Sequence, residues 1–158
     1  MIASEIFYPI KCEPILKEKV WGGTKLHAQF KKNKGHAIGE SWELSGVPEA
    51  ISVIANGSWA GQSIQAYINA NPKAVLGEKV VEQFGTQLPL LFKFIDAQQD
   101  LSVQVHPHDA VAKKRHNTFG KNEMWYILQA DPGARLLIGF NKPITPETYQ
   151  HHLENNTI

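Results

Sequence analysis

Cysteine is nearly absent from this chain: Cys12 is the single one in 158 residues. One thiol closes no internal disulfide and builds no cysteine-based zinc cluster. An excess of one charge is lacking too. Lys and Arg number 16 against 15 Asp and Glu, a formal net charge of +1, which leaves no electrostatic footprint for nucleic acid or an anionic membrane. No apolar run approaches the roughly 20 residues needed to span a bilayer. Met1 to Pro9 has no basic start followed by an apolar stretch, so it does not read as a secretory signal. There is no Gly-rich phosphate loop, no Gly-x-Ser-x-Gly and no nucleotide fingerprint, so nucleophilic hydrolysis and nucleotide chemistry have no support. These absences predict a soluble, cytoplasmic chain with no nucleic-acid or membrane partner. Any metal chemistry must use His, carboxylate or amide.

What is present suits one globular domain. Hydrophobic residues make up 42% and charged residues 20%, enough to build a core. The first forty residues read as irregular, punctuated by Pro9, Pro14, Gly22, Gly23, Gly35 and Gly39, with Lys31 to Gly35 as an exposed loop and a short helix over Leu26 to Phe30. Ser41 to Ser45 and Ile51 to Ile54 read as strands, the second followed by an Asn56-Gly57 turn. Ile64, Tyr67 and Ile68 recur at helical spacing up to Pro72, and Val75 to Phe84 is a second helical stretch broken at Gly77. From Pro89 the pattern turns β: Leu90 to Ile95, Leu101 to His106, Glu123 to Leu128 and Ala134 to Phe140. A short helix capped by Asp109 runs to His116, and Thr145-Pro146 opens a last helix with Tyr149 and Leu153 on one buried face. The expected fold is mainly β, a sandwich or barrel with a few peripheral helices.

The segment Leu101 to Asp109 carries the most chemistry. A strand has a side-chain period of two, so Ser102, Gln104 and His106 share one face while Leu101, Val103 and Val105 pack the other. A row of polar groups on an apolar strand is costly when buried. Either that face is solvated, or it lines a pocket where Gln104 and His106 hold a metal. Glu123 opens an apolar strand and is either its solvent-facing start or a third ligand. Lys121, two residues earlier, is either a solvated loop lysine or a group for charge and proton transfer. Lys93 interrupts Leu-Leu-Phe-Lys-Phe-Ile. It either snorkels at a sheet rim or binds an anion at a pocket mouth. His108 follows Pro107, which breaks the alternation; His27, His36, His116, His151 and His152 read as loop or surface residues. Trp21, Trp42 and Trp59 read as core, with Trp21 beside Gly22-Gly23 the best placed to stack on a sugar.

At these residues the sequence resembles the type I, zinc-dependent mannose-6-phosphate isomerases, and their shorter bacterial branch most. The likeness rests on Pro89 to Ala97, Leu101-Ser-Val-Gln-Val-His-Pro-His-Asp109 and Gly120-Lys-Asn-Glu-Met-Trp-Tyr-Ile-Leu128, with Trp21-Gly-Gly23 and Gly39 to Ser45 in agreement. The resemblance implies a cupin-type jelly-roll β-barrel holding one zinc, with Gln104, His106 and Glu123 among its ligands. It implies that Trp21, Glu40, Lys93 and Ser102 contact a small sugar phosphate, and that Lys121 takes part in proton transfer or charge stabilisation. In the family a further His ligand and an arginine lie downstream, beyond anything this sequence contains. Residues 1–158 therefore read as the N-terminal part of such a domain, with a C-terminal half to follow. The reaction implied converts mannose 6-phosphate to fructose 6-phosphate through an enediol-type intermediate. The alternatives are a non-catalytic sugar-phosphate-binding or assembly module and an iron oxygenase, which would need a second His in place of Gln104. Taken alone, the chain is expected to hold metal loosely and to leave the 101–106 and 134–140 strands unpaired, inviting self-association through a sheet edge.

Overall fold

The computed structural model of the chain describes residues 8–32 and 37–158. It divides into two compact units, the first ending at Leu101 and the second running from Ser102 to Ile158.

The first unit is built on a three-stranded antiparallel sheet in the order β1-β2-β3, with β1 over Ile15–Gly23, β2 over Ile38–Ser45 and β3 over Leu91–Ile95. β1 lies where the sequence reads as irregular. Its alternation is broken by a register shift between Lys17 and Glu18, so no clean period of two is visible in the residues, and pairing with β2 makes the strand. The opposite holds at Ile51 to Ile54. That segment joins no ladder and makes only isolated bridges, Cys12 to Ile54 and Val53 to Ser63. Its backbone groups are satisfied one at a time, as Ser52 N–H donates to the Ser45 carbonyl and Ile54 N–H to that of Gln62.

Two glycines let β1 and its neighbours close up. A Cβ on Gly22 would lie 2.5 Å from the Gly39 nitrogen, so only glycine permits that approach of β1 to β2. A Cβ on Gly23 would meet the Asp96 carboxylate. Asp96 is buried and accepts the Lys25 N–H at 2.7 Å. It thereby pairs one of the first N–H groups of α1, Lys25–Phe30, which have no acceptor within the helix.

Helices α2 (Ile64–Ala70), α3 (Pro72–Leu76) and α4 (Glu78–Phe84) follow. Ser63 caps α2 by accepting the Ala66 N–H. Pro72 ends one helix by opening the next, and Gly77 separates α3 from α4. The core is Ile54, Ile64, Tyr67 and Ile68, with Leu44, Ile51 and Leu88 packed around it. Ile54 and Ile68 are each 1% exposed; burying such a side chain is worth about 1.5–3 kcal/mol.

The second unit contains α5 (Asp109–His116) and α6 (Pro146–Glu154). Lys113, Lys114, Arg115 and His116 fill the last turn of α5, where cations suit the helix dipole. Asp109 does not cap α5. It sits inside the first turn, and its Oδ1 accepts the Gly120 N–H at 2.8 Å. α6 is closed by a capping box between Thr145 and Thr148. Its expected buried face is not formed: Tyr149 is half-buried against Phe140 and Leu153 is 51% exposed.

The expected strands at 101–106, 123–128 and 134–140 are not strands here, since among the described residues no strand pairing involves 102–158. A strand exists only where a second one takes its N–H and C=O groups, and none does so. The apolar residues of these segments stay uncovered, with Val105 81% and Met124 89% exposed. Of the expected mainly β fold, the described residues form a small antiparallel sheet, accompanied by six α-helices and two short 3-10 turns.

Candidate functional site

The first unit gathers four side chains on one face of its sheet. In β2, Glu40 and Trp42 stand two residues apart and so point the same way. On β3, Lys93 is registered opposite Trp42, and on β1 Lys17 is registered opposite Glu40. Glu40 divides its carboxylate between two donors: the Trp42 indole N–H at Oε2, 2.8 Å, and Lys93 Nζ at Oε1, 3.0 Å. Lys17 Nζ lies 4.9 Å above the Trp42 ring, a cation–π distance. Burial pushes the Glu40 carboxyl up, but the hydrogen bonds from Trp42 and Lys93 outweigh it and hold the group below its ordinary value. Lys93 therefore neither snorkels nor stands free; it is ion-paired with a buried carboxylate. Trp21 lies in β1 with its ring over Gly39, and its carbonyl accepts the Gln98 and Gln99 N–H groups.

The second unit builds its cluster from a short loop closure. A Cβ on Gly120 would lie 2.6 Å from the Asp109 nitrogen, so glycine is what allows this loop to fold onto the start of α5. Lys121 N–H donates to the Pro107 carbonyl at 3.3 Å. The closure carries Lys121 and Glu123 back to His106. His106 Nε2 lies 2.6 Å from Glu123 Oε2, and Lys121 Nζ lies 2.9 Å from the same oxygen and 3.4 Å from His106 Nε2. The other oxygen, Oε1, accepts the Trp125 indole N–H at 2.6 Å. The Lys121 hydrogen bond foremost, then that of Trp125 and the charges of Lys121 and His106, outweigh burial and hold the Glu123 carboxyl down at about 2.

Of the candidate ligands, His106 and Glu123 meet. Gln104 donates its Nε2 to the Ser102 hydroxyl at 3.0 Å in an exposed stretch. Among the described residues no group of three or more His, Cys, Asp or Glu converges. The donors available, an imidazole nitrogen, an ionised carboxylate and the oxygen of the Gln104 amide, are of the kind zinc accepts. His108 is the N-cap residue of α5, its carbonyl accepting the Ala112 N–H while its imidazole makes no cap hydrogen bond, and His152 Nδ1 lies 2.8 Å from the Thr157 hydroxyl. His36 lies outside the described residues.

Trp42, Trp125 and Lys17 were not distinguished by residue pattern. The two tryptophans carried a signal, a repeated Glu-x-Trp at Glu40-Ser41-Trp42 and Glu123-Met124-Trp125, whose spacing lets an indole reach the carboxylate two residues before it; Lys17 carried none.

Residues 9–129 match the family model of the phosphomannose isomerase type I catalytic domain. The chain is 37% identical to a probable mannose-6-phosphate isomerase of Bacillus subtilis over 94% of its own length and 46% of that protein's. Its structure resembles the crystal structure of the Bacillus subtilis mannose 6-phosphate isomerase at a TM-score of 0.62 and 32% identity, over 72% of this chain and 35% of that one. It also resembles the Salmonella typhimurium mannose 6-phosphate isomerase bound to fructose 6-phosphate and zinc, at a TM-score of 0.57 and 32% identity, over 68% of this chain and 28% of that one. The chain thus spans less than half the length of these relatives. Among the described residues, no helix is long and apolar enough to cross a membrane.

Proposed function

This chain belongs to the phosphomannose isomerase type I family, and we propose from that premise that it supplies the N-terminal part of a cupin-type jelly-roll isomerase acting on mannose 6-phosphate and fructose 6-phosphate in the cytoplasm. The observation that carries the reading is the meeting of His106, Glu123 and Lys121 within a few ångströms, inside the stretch that matches the family. His106, Glu123 and the Gln104 amide would hold one zinc. Bound there, it would position the sugar oxygens and stabilise developing negative charge.

The remaining roles fall to the chain's own groups. In the open-chain aldose a proton leaves C2, its electron pair forms the C1–C2 double bond, and the carbonyl oxygen at C1 takes up a proton. The enediol then accepts a proton at C1 while the oxygen on C2 loses its own and becomes the ketone. Lys121, an ammonium beside Glu123, is suited to hold or return a proton at the sugar oxygens. Lys93 and Ser102 offer a cation and a hydroxyl to the phosphate or sugar oxygens. Glu40 fixes Lys93 by their ion pair and can accept a sugar hydroxyl, while Trp21 offers a ring for the sugar face.

The second reading is a family member that binds sugar phosphate without turning it over, even at its relatives' full length. A coupled assay of mannose 6-phosphate conversion, run on this chain and on the chain extended over its relatives' full length, decides between them. We expect turnover from the extended chain, abolished by His106→Asn, and little from the short one. Absence of turnover from the extended chain, with sugar-phosphate binding retained, would establish the second reading.

A further inference from the structure

We infer that Trp125 is a positioning residue for Glu123: its indole N–H holds Oε1 and leaves Oε2 turned toward His106 and Lys121. This rests on reading Glu123 as a metal ligand for its consequence, though not for its geometry. A glutamate's terminal torsion is broad and nearly two-fold, so a carboxylate standing in a half-exposed loop does not choose which oxygen it presents. Here the two oxygens are sorted. Oε1 has the indole at 2.6 Å, and Oε2 has His106 at 2.6 Å and Lys121 at 2.9 Å. An indole N–H is a donor only. It neither ligates a metal nor exchanges a proton with substrate, which leaves orientation as what it contributes.

The arrangement recurs independently in the first unit. There the Trp42 indole takes one oxygen of Glu40 at 2.8 Å and Lys93 takes the other at 3.0 Å. In both places the tryptophan lies two residues after the glutamate and a lysine completes the clamp, Lys93 from another strand in the first unit and Lys121 from the same loop in the second. The sorting is therefore a property of Glu-x-Trp with a lysine, not an accident of one loop. Partners that orient a ligand tune its metal affinity by about 10–100-fold.

The test uses this chain, its Trp125→Phe variant, which keeps an aromatic ring and removes the N–H, and Glu123→Gln. Nuclear magnetic resonance of the indole N–H groups identifies the Trp125 signal by its loss in Trp125→Phe. We expect that signal to shift in Glu123→Gln, and zinc affinity, measured by competition with a chromophoric chelator, to fall about tenfold in Trp125→Phe at unchanged far-ultraviolet circular dichroism. An indole signal indifferent to Glu123→Gln overturns the proposal. So does a Trp125→Phe chain that binds zinc as tightly as the parent while Glu123→Gln is weakened. If the parent binds no zinc and its indole signal still answers to Glu123→Gln, the clamp stands and the metal reading of Glu123 falls. Should Trp125→Phe fail to fold, the response of the four indole signals to Glu123→Gln decides alone: one that moves supports the clamp and none moving overturns it.

Discussion

The two units carry the same three-part device on opposite kinds of support. In the first, Glu40, Trp42 and Lys93 are held by a paired sheet, with both members of the ion pair largely buried. In the second, Glu123, Trp125 and Lys121 are held by a loop closure at Gly120, with Lys121 nearly half exposed. One device is over-determined by strand register. The other depends on a few hydrogen bonds and a glycine, and its neighbours Val105 and Met124 face outward. The lesson is that a local side-chain pattern can assemble a polar cluster without a sheet, whereas the burial that strengthens it comes only from pairing and packing.

The contrast is broken or sharpened most strongly by core truncation. Ile68→Ala should cost the first unit about 2–5 kcal/mol, and Val105→Ala in the second should stay within about 0.5 kcal/mol. Urea unfolding followed by circular dichroism checks both, and equal costs would erase the distinction. Next come the ion pairs. Lys93→Met leaves the Glu40 carboxylate buried with the indole alone, and should cost about 1–3 kcal/mol. Lys121→Met removes an exposed partner and should cost about 0–1 kcal/mol. Double-mutant cycles with Glu40→Gln and Glu123→Gln measure the two couplings, and a stronger Lys121–Glu123 coupling would reverse the ranking.

The remaining effect is pH-dependent. Glu123 titrates at about 2 in the folded chain against an ordinary 4.5. A lowered folded value stabilises the folded form above the ordinary value, and that contribution disappears as pH falls from 4.5 toward 2. Thermal midpoints of the parent should therefore approach those of Glu123→Gln over that window, with no convergence above it. A parent with no pH-dependent advantage over Glu123→Gln across that window would show the carboxylate to be unclamped.

Much of this protein was legible in its residues because the relevant physics is local. Helical spacing at Ile64, Tyr67 and Ile68 marked α2, Thr145-Pro146 marked the start of α6, and the interruption of an apolar run marked Lys93. The segment motifs singled out His106, Glu123 and Lys121 before any distance was known. Three things were not legible. β1 carries no clean alternation and became a strand through its partner, while the alternation of 101–106 and the apolar run of 124–128 produced none because, among the described residues, nothing pairs with them. Trp125 read as one more apolar residue, since an indole's single donor matters only once a carboxylate oxygen lies within reach. The sequence alone determined which residue types stand two apart and which faces they share, because backbone stereochemistry sets those periods. Only the tertiary structure decided which lysine meets which glutamate and whether the pair is buried, because register and loop closure join residues as far apart as Glu40 and Lys93.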